Sequence, residues 1–142
     1  MISIIDTLLN RHDVVVYDSE CHACIIDGLR LHMGKRFVFP HNNMEKCERE
    51  IEKACKIAGE QNGGVLVITE GVFGMSGNLG RLDKIAELKK KYSFRILVDD
   101  AHGFGTMGAN GRGVPRKNIF KQKWKNTWES TYDTISNIAR WT

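Results

Sequence analysis

Arg95-Ile-Leu-Val-Asp-Asp-Ala-His-Gly103 is the stretch that decides how this chain of 142 residues is read. A short apolar run ends on Asp99, and His102 follows three residues later. In open α/β sheets, ligands bind just beyond the carboxyl ends of the strands. A carboxylate there can grip a buried cationic ring nitrogen while the imidazole reaches a neighbouring oxygen, an arrangement that suits an aromatic cofactor carrying both groups. The same spacing also serves a strand-terminal Asp that caps the next turn, with His102 simply exposed. The nine residues allow both readings, so the flanking sequence has to separate them.

Upstream of this segment the chain alternates regularly. Ile2 to Leu9 carries apolar residues at helical spacing. Val14-Val-Val-Tyr17 is a continuous apolar run of the kind a buried parallel strand shows. His22 to Met33 is helical, with Ile25, Ile26, Leu29 and Met33 on one face and Gly34 as the stop. Arg36-Phe-Val-Phe39 reads as a strand, and Met44 to Ala58 as a charged amphipathic helix with Cys47, Ile51, Ala54, Cys55 and Ala58 inward. Val65-Leu-Val-Ile-Thr69 is the strongest strand. Arg81 to Tyr92 is a helix with Leu82, Ile85, Ala86 and Leu88 inward, and Phe94 to Val98 delivers Asp99. Four helix–strand repeats with short connections and right-handed crossovers predict a three-layer αβα fold built on a parallel sheet.

Composition bounds the rest. The chain is 42% hydrophobic and 27% charged, ordinary for a soluble domain. No apolar run approaches the roughly 20 residues a membrane helix needs, and Met1-Ile-Ser-Ile-Ile-Asp6 lacks the basic region of a signal peptide; the expectation is a cytoplasmic protein. Four cysteines are too few for a disulfide-dense scaffold. Cys21-His-Ala-Cys24 has zinc-type spacing, but Cys47 and Cys55 make a poor second pair, so reduced thiols and no metal are expected. Charge is uneven: from Gly113 onward there are six Lys/Arg against two Asp/Glu, and before it 15 against 15. Trp124, Trp128 and Trp141 all fall in that last stretch, which has neither a clean strand period nor a clean helical stripe.

Two motifs point elsewhere and fail on context. Gly103-Phe-Gly105-Thr-Met-Gly108 has dinucleotide-fingerprint spacing, yet it neither follows a strand directly nor opens a helix. Its glycines are expected to turn the backbone sharply. Gly74-Met-Ser76-Gly-Asn78 resembles a nucleophile elbow lacking its last Gly, with Asp99 and His102 following in hydrolase order. The residues before Ser76 read as loop, however, and Asp99 and His102 are too close together to come from separate loops.

Taken together, Cys21-His-Ala-Cys-Ile-Ile-Asp-Gly28, His41-Asn42, Thr69-Glu-Gly-Val-Phe73 with Met75 and Gly77, Val98-Asp-Asp-Ala-His-Gly103 and Gly108-Ala-Asn-Gly-Arg-Gly113 resemble the α-oxoamine synthases. These are fold-type I pyridoxal-phosphate enzymes such as serine palmitoyltransferase, 8-amino-7-oxononanoate synthase and glycine C-acetyltransferase. The wording around residues 70–108 looks most like serine-palmitoyltransferase-type proteins. The resemblance implies pyridoxal 5'-phosphate as cofactor and amino acid and acyl-CoA as substrates. It implies a homodimer with sites shared across the interface, no membrane span and no nucleic acid. His22 would stack on the cofactor ring and handle the substrate carboxylate, Asp99 would pair with the pyridine nitrogen, and His102 would bond the phenolic oxygen. Gly74 would line the same site, where many relatives carry Ser. A carboxylate favours the protonated pyridine. That ring is an electron sink for a carbanion at the α-carbon, which an acyl thioester captures with loss of carbon dioxide.

The same resemblance marks gaps. The family's cofactor Lys is expected where this chain reads Glu129-Ser-Thr-Tyr-Asp-Thr-Ile-Ser136, which holds no Lys; Lys121, Lys123 and Lys125 come earlier and in other company. The glycine-rich phosphate-binding segment before the first helix and the carboxyl-terminal small domain have no counterpart. The expectation is therefore a partial large domain over residues 1–113 with an unrelated basic, Trp-rich tail over 114–142. That describes a truncated or frameshifted product, inactive alone for want of the Schiff-base amine. A second reading of another class is a non-catalytic α/β binding module whose tail contacts nucleic acid.

Overall fold

Side chains that alternate between the two faces of the sheet along its strands set the architecture. The computed structural model describes residues 1–114. The tail from residue 115, with the lysines and tryptophans discussed above, lies outside the described residues. The elements are α1 (Ile2–Leu8), β1 (Val14–Asp18), α2 (Ala23–Leu31), β2 (Arg36–Phe39), α3 (Met44–Glu60), β3 (Val65–Glu70), α4 (Leu82–Leu88) and β4 (Arg95–Asp99), with a short 3₁₀ turn at Ala109–Gly111. All strands pair in parallel in the order β2-β1-β3-β4. Val14, Val16, Val65, Val67, Ile96 and Val98 face one side, where they bury Cys47, Ile51, Ala54 and Ala58 of α3 and Leu82, Ile85 and Leu88 of α4. Val15, Leu66, Ile68 and Leu97 face the other, against Ile5 of α1 and Ile25 and Leu29 of α2. The fold is the expected α/β sheet with helices on both faces.

Local chemistry fixes the ends. Asn43 caps α3 by accepting the Lys46 N–H at 3.0 Å, and the exposed side of that helix carries Glu45–Arg49, Glu50–Lys53 and Glu52–Lys56 pairs, each adding a few tenths of a kcal/mol. Two boundaries differ from expectation. Helix α2 stops at Leu31 because His32 turns extended while its N–H bonds back to Leu29. Met33, expected inward, therefore lies past the helix and is 87% exposed. Helix α4 stops at Leu88, where the N–H groups of Lys89, Lys90 and Lys91 each reach back three residues and tighten the chain into a turn. Cys55, also expected inward, is half-buried, its thiol on the Ser93 carbonyl.

The topology creates the site. From β1 the chain leaves through α2 on one face, and from β3 it leaves through α4 on the other. Adjacent strands whose exits diverge leave a crevice at their carboxyl ends. In this fold that switch point lies between β1 and β3.

Candidate functional site

A carboxylate ends three of the four strands: Asp18 on β1, Glu70 on β3 and Asp99 on β4. Each accepts a backbone N–H from a loop at this edge, so strand ends and loops form one hydrogen-bonded layer. Asp18 is fully buried and accepts from Glu20 N and Asn42 N, both at 2.9 Å, while its Oδ1 stands 3.0 Å from His41 Nδ1. Glu70, 4% exposed, accepts the His22 N–H on Oε1 at 2.5 Å. Half-buried Asp99 accepts the Ala101 N–H on Oδ1 at 3.1 Å and lies opposite Glu70 in the β3–β4 register. Its Oδ2 has no protein partner among the described residues.

His22 is the N-cap of α2, with its imidazole exposed. Nδ1 accepts the Cys24 N–H at 3.3 Å and lies 3.1 Å from Cys24 Sγ. An accepting Nδ1 puts the proton of the neutral ring on Nε2, leaving that N–H and the ring face free. His102 is exposed just past Asp99, and its ring lies against Gly74: a Cβ on residue 74 would sit 2.4 Å from His102 Nε2. The imidazole thus fills the volume that a Ser side chain would take at that position. Glu70 meets this group through its bond to the His22 N–H and its place opposite Asp99 in the strand register.

Glu70 and its neighbour Asp100 were not among the residues singled out from sequence. Burial, with Asp99 adding to it, holds the Glu70 carboxyl above the usual Glu range against the opposing His22 N–H. Asp100 Oδ2 accepts the Val114 N–H at 2.9 Å, and its Oδ1 is buried with no hydrogen-bond partner among the described residues. Burial, reinforced by Asp99, pushes Asp100 up to about 6. Its carboxyl is wedged between two glycines, since a Cβ at Gly71 or Gly103 would fall 1.9 or 2.1 Å from Oδ1. A sequence signal existed for Glu70, as a carboxylate closing the most apolar strand. Asp100 gave none, because its partners come from three separate segments.

The competing motifs resolve locally. Gly105 and Gly108 take φ of 85° and 79°, turn conformations. Ser76 Oγ accepts the Asn78 N–H within an exposed loop rather than at a strand-to-helix elbow. All four cysteines are unpaired, and burial raises Cys47 to about 12 and Cys21 further still. A hollow of about 750 Å³ lies at the opposite, amino edge of the sheet, lined by residues such as Leu9, Ala58 and Phe94, away from these carboxylates.

At this edge lie an Asp99 oxygen with no partner among the described residues and the exposed imidazoles of His22 and His102. The sequence profile described as aminotransferase class I and II matches residues 1–126. A cysteate-C-fatty acyltransferase of Capnocytophaga ochracea is 60% identical over 114 residues, covering 80% of this chain and 27% of that protein. An 8-amino-7-oxononanoate synthase of Fervidobacterium nodosum is 41% identical over 105 residues, 74% of this chain and 26% of that one. Among solved structures, a serine palmitoyltransferase with its pyridoxal-phosphate internal aldimine superposes with a TM-score of 0.73 at 32% identity, over 84% of this chain and 29% of that one. The chain spans about a quarter of the length of the curated relatives it matches.

Proposed function

The chain belongs to the class I and II aminotransferase family, and on that premise we propose that it is part of the large domain of a pyridoxal-phosphate-dependent acyl-CoA:amino-acid C-acyltransferase. The observation that carries this reading is the placement of His22, Asp99 and His102 at the carboxyl edge of the sheet beside the β1–β3 switch point, with Glu70 bonded to the His22 N–H and opposite Asp99. When bound, the cofactor supplies an electron sink for chemistry at the α-carbon of an amino acid. This chain's residues bind and orient it. Asp99 would hold the ring nitrogen protonated, His22 would cover a ring face and handle the substrate carboxylate, and His102, whose ring lies against Gly74, would bond the phenolic oxygen. The reaction this supports is a decarboxylative condensation of an amino acid with an acyl thioester.

The segment expected to bring the cofactor amine, residues 129–136, contains no Lys. We therefore assign this chain a binding role without turnover of its own. Four unpaired cysteines fit a reducing, cytoplasmic setting, and no helix among the described residues is long and apolar enough to cross a membrane. Met75 and Phe104, exposed in the loops after β3 and β4, leave apolar side chains at the carboxyl edge for a second copy of the chain, as a homodimer would use.

Titration with pyridoxal 5'-phosphate, followed by absorbance, tests the reading. The expected result is saturable binding of one equivalent with the spectrum of a non-covalent cofactor. Absence of saturable binding overturns the site. A shift of that one equivalent to the spectrum of a Schiff base shows that a Lys has engaged the cofactor in the site and overturns the premise of the binding-only role.

A further inference from the structure

We propose that Glu70 is the positioning residue for His22: by accepting the His22 N–H it holds the corner between β1 and α2, and so sets where the imidazole stands over the crevice. Its consequence for the cofactor rests on the function proposed above; the link between the two residues stands on geometry alone.

Three features carry it. First, a carboxylate as buried as Glu70 is costly unless hydrogen-bonded, and the partner it has found is the main chain of the residue that caps α2, at 2.5 Å. Second, His22 has no burial to hold it. Its side chain is exposed and, among the described residues, tethered only through Nδ1 to the first turn of its own helix. The long-range hold on residue 22 is Glu70, 48 positions away in sequence. Third, Glu70 sits opposite Asp99 in register, so the two faces of the site share one carboxylate neighbour.

The charges around Glu70 come from every element that meets it. Asp99 on β4 opposes its ionisation, while His22 at the start of α2 and His102 beyond β4 favour it. Cys21 beside it stays a neutral thiol. Positive charge placed on Asp99 therefore favours ionised Glu70, which strengthens the bond to His22 N. By linkage, a firmer His22 corner favours positive charge at Asp99 to the same extent. Glu70 thus couples the group that grips a ring nitrogen to the group that covers a ring face.

The test follows the His22 amide by ¹H–¹⁵N NMR of the full chain across pH, in wild type, Glu70→Gln and Glu70→Ala. In wild type the amide is expected far downfield, slow to exchange, and moving with the titration of Glu70. Glu70→Gln keeps the acceptor, so protection stays within about threefold while the pH-dependent movement disappears. Glu70→Ala loses protection by roughly tenfold or more. An amide as protected in Glu70→Ala as in wild type overturns the proposal. If Glu70→Ala does not fold, a wild-type amide that ignores the Glu70 titration, or one that still titrates in Glu70→Gln, overturns it instead.

Pyridoxal 5'-phosphate binding to the same variants separates this from the functional reading. The expectation is roughly tenfold weaker binding in Glu70→Ala, restored in Glu70→Gln. Equal affinity in wild type and Glu70→Ala overturns the coupling. No binding in wild type overturns the cofactor site, while the amide data still decide whether Glu70 holds His22.

Discussion

Asp18 Oδ1 and His41 Nδ1 meet at 3.0 Å beneath the carboxyl edge of the sheet, and the same imidazole stands edge-on to Phe73 with ring centroids 4.4 Å apart at 82°. The pair joins three segments. Asp18 ends β1, His41 follows β2, and Phe73 anchors the loop that presents Gly74 to His102. Asn42 extends the frame by bonding Asp18 Oδ2 through its N–H and the Leu79 carbonyl through its side chain. The His41-Asn42 motif, quoted from sequence with no assigned task, is the strut that sets the height of the 71–80 loop.

Removing the carboxylate beneath that strut is expected to be expensive. Asp18→Ala strands the N–H groups of Glu20 and Asn42 together with the His41 ring, with a loss of about 3 kcal/mol. Asp18→Asn keeps an acceptor and costs less. Urea unfolding of the three proteins checks the order; Asp18→Ala as stable as Asp18→Asn would show that the frame carries little.

The glycines around the site divide by what they touch. At Gly74 an added side chain meets the far end of exposed His102, which can swing aside, so Gly74→Ser is expected to change stability by less than about 0.5 kcal/mol. The His102 ring resonances should shift as the imidazole moves. At Gly71 and Gly103 the obstacle is the pinned carboxyl of Asp100, and Gly71→Ala or Gly103→Ala is expected to cost about 2 kcal/mol. Thermal melts of the three variants check the contrast.

These contacts show what a linear reading reaches. All four strands and four helices were legible, because β-branched runs and helical spacing are local signals that burial on both sheet faces enforces. The carboxyl-edge positions of Asp99, His22 and His102 were legible because they follow from strand ends. What escaped was pairing across segments. Glu70 looks like the tail of a strand until topology sets β1 beside β3, and Asp100 looks redundant until Gly71, Gly103 and Val114 close around it. Met33 was misplaced because helical spacing continues on paper after His32 has turned the chain.

Asp100 makes stability depend on pH with a defined sign. Its folded value, about 6, lies above the ordinary 3.8, so the folded protein binds that proton more tightly than the unfolded one. The contribution is complete below the ordinary value and is lost as pH rises through about 6. The stability difference between wild type and Asp100→Asn should therefore shift against wild type from pH 4 to pH 7. Chemical denaturation at those two pH values measures it, and a constant difference would mean that folding leaves the proton affinity of Asp100 unchanged.

Asp99 carries the sharpest functional expectation. Replacing it with Asn keeps size and the bond from the Ala101 N–H but removes the charge that would hold a ring nitrogen protonated, so Asp99→Asn should weaken pyridoxal 5'-phosphate binding by roughly tenfold or more. A second effect requires no cofactor. Asp99 is one of the causes that keep Glu70 above the usual Glu range, so Glu70 should titrate at lower pH in Asp99→Asn, seen by ¹³C NMR of its carboxyl. Weaker binding together with a lowered Glu70 titration places both residues in one electrostatic unit. If binding weakens while Glu70 titrates as before, Asp99 meets the ligand but the two carboxylates act separately, and the coupling between the ring-nitrogen and ring-face contacts fails.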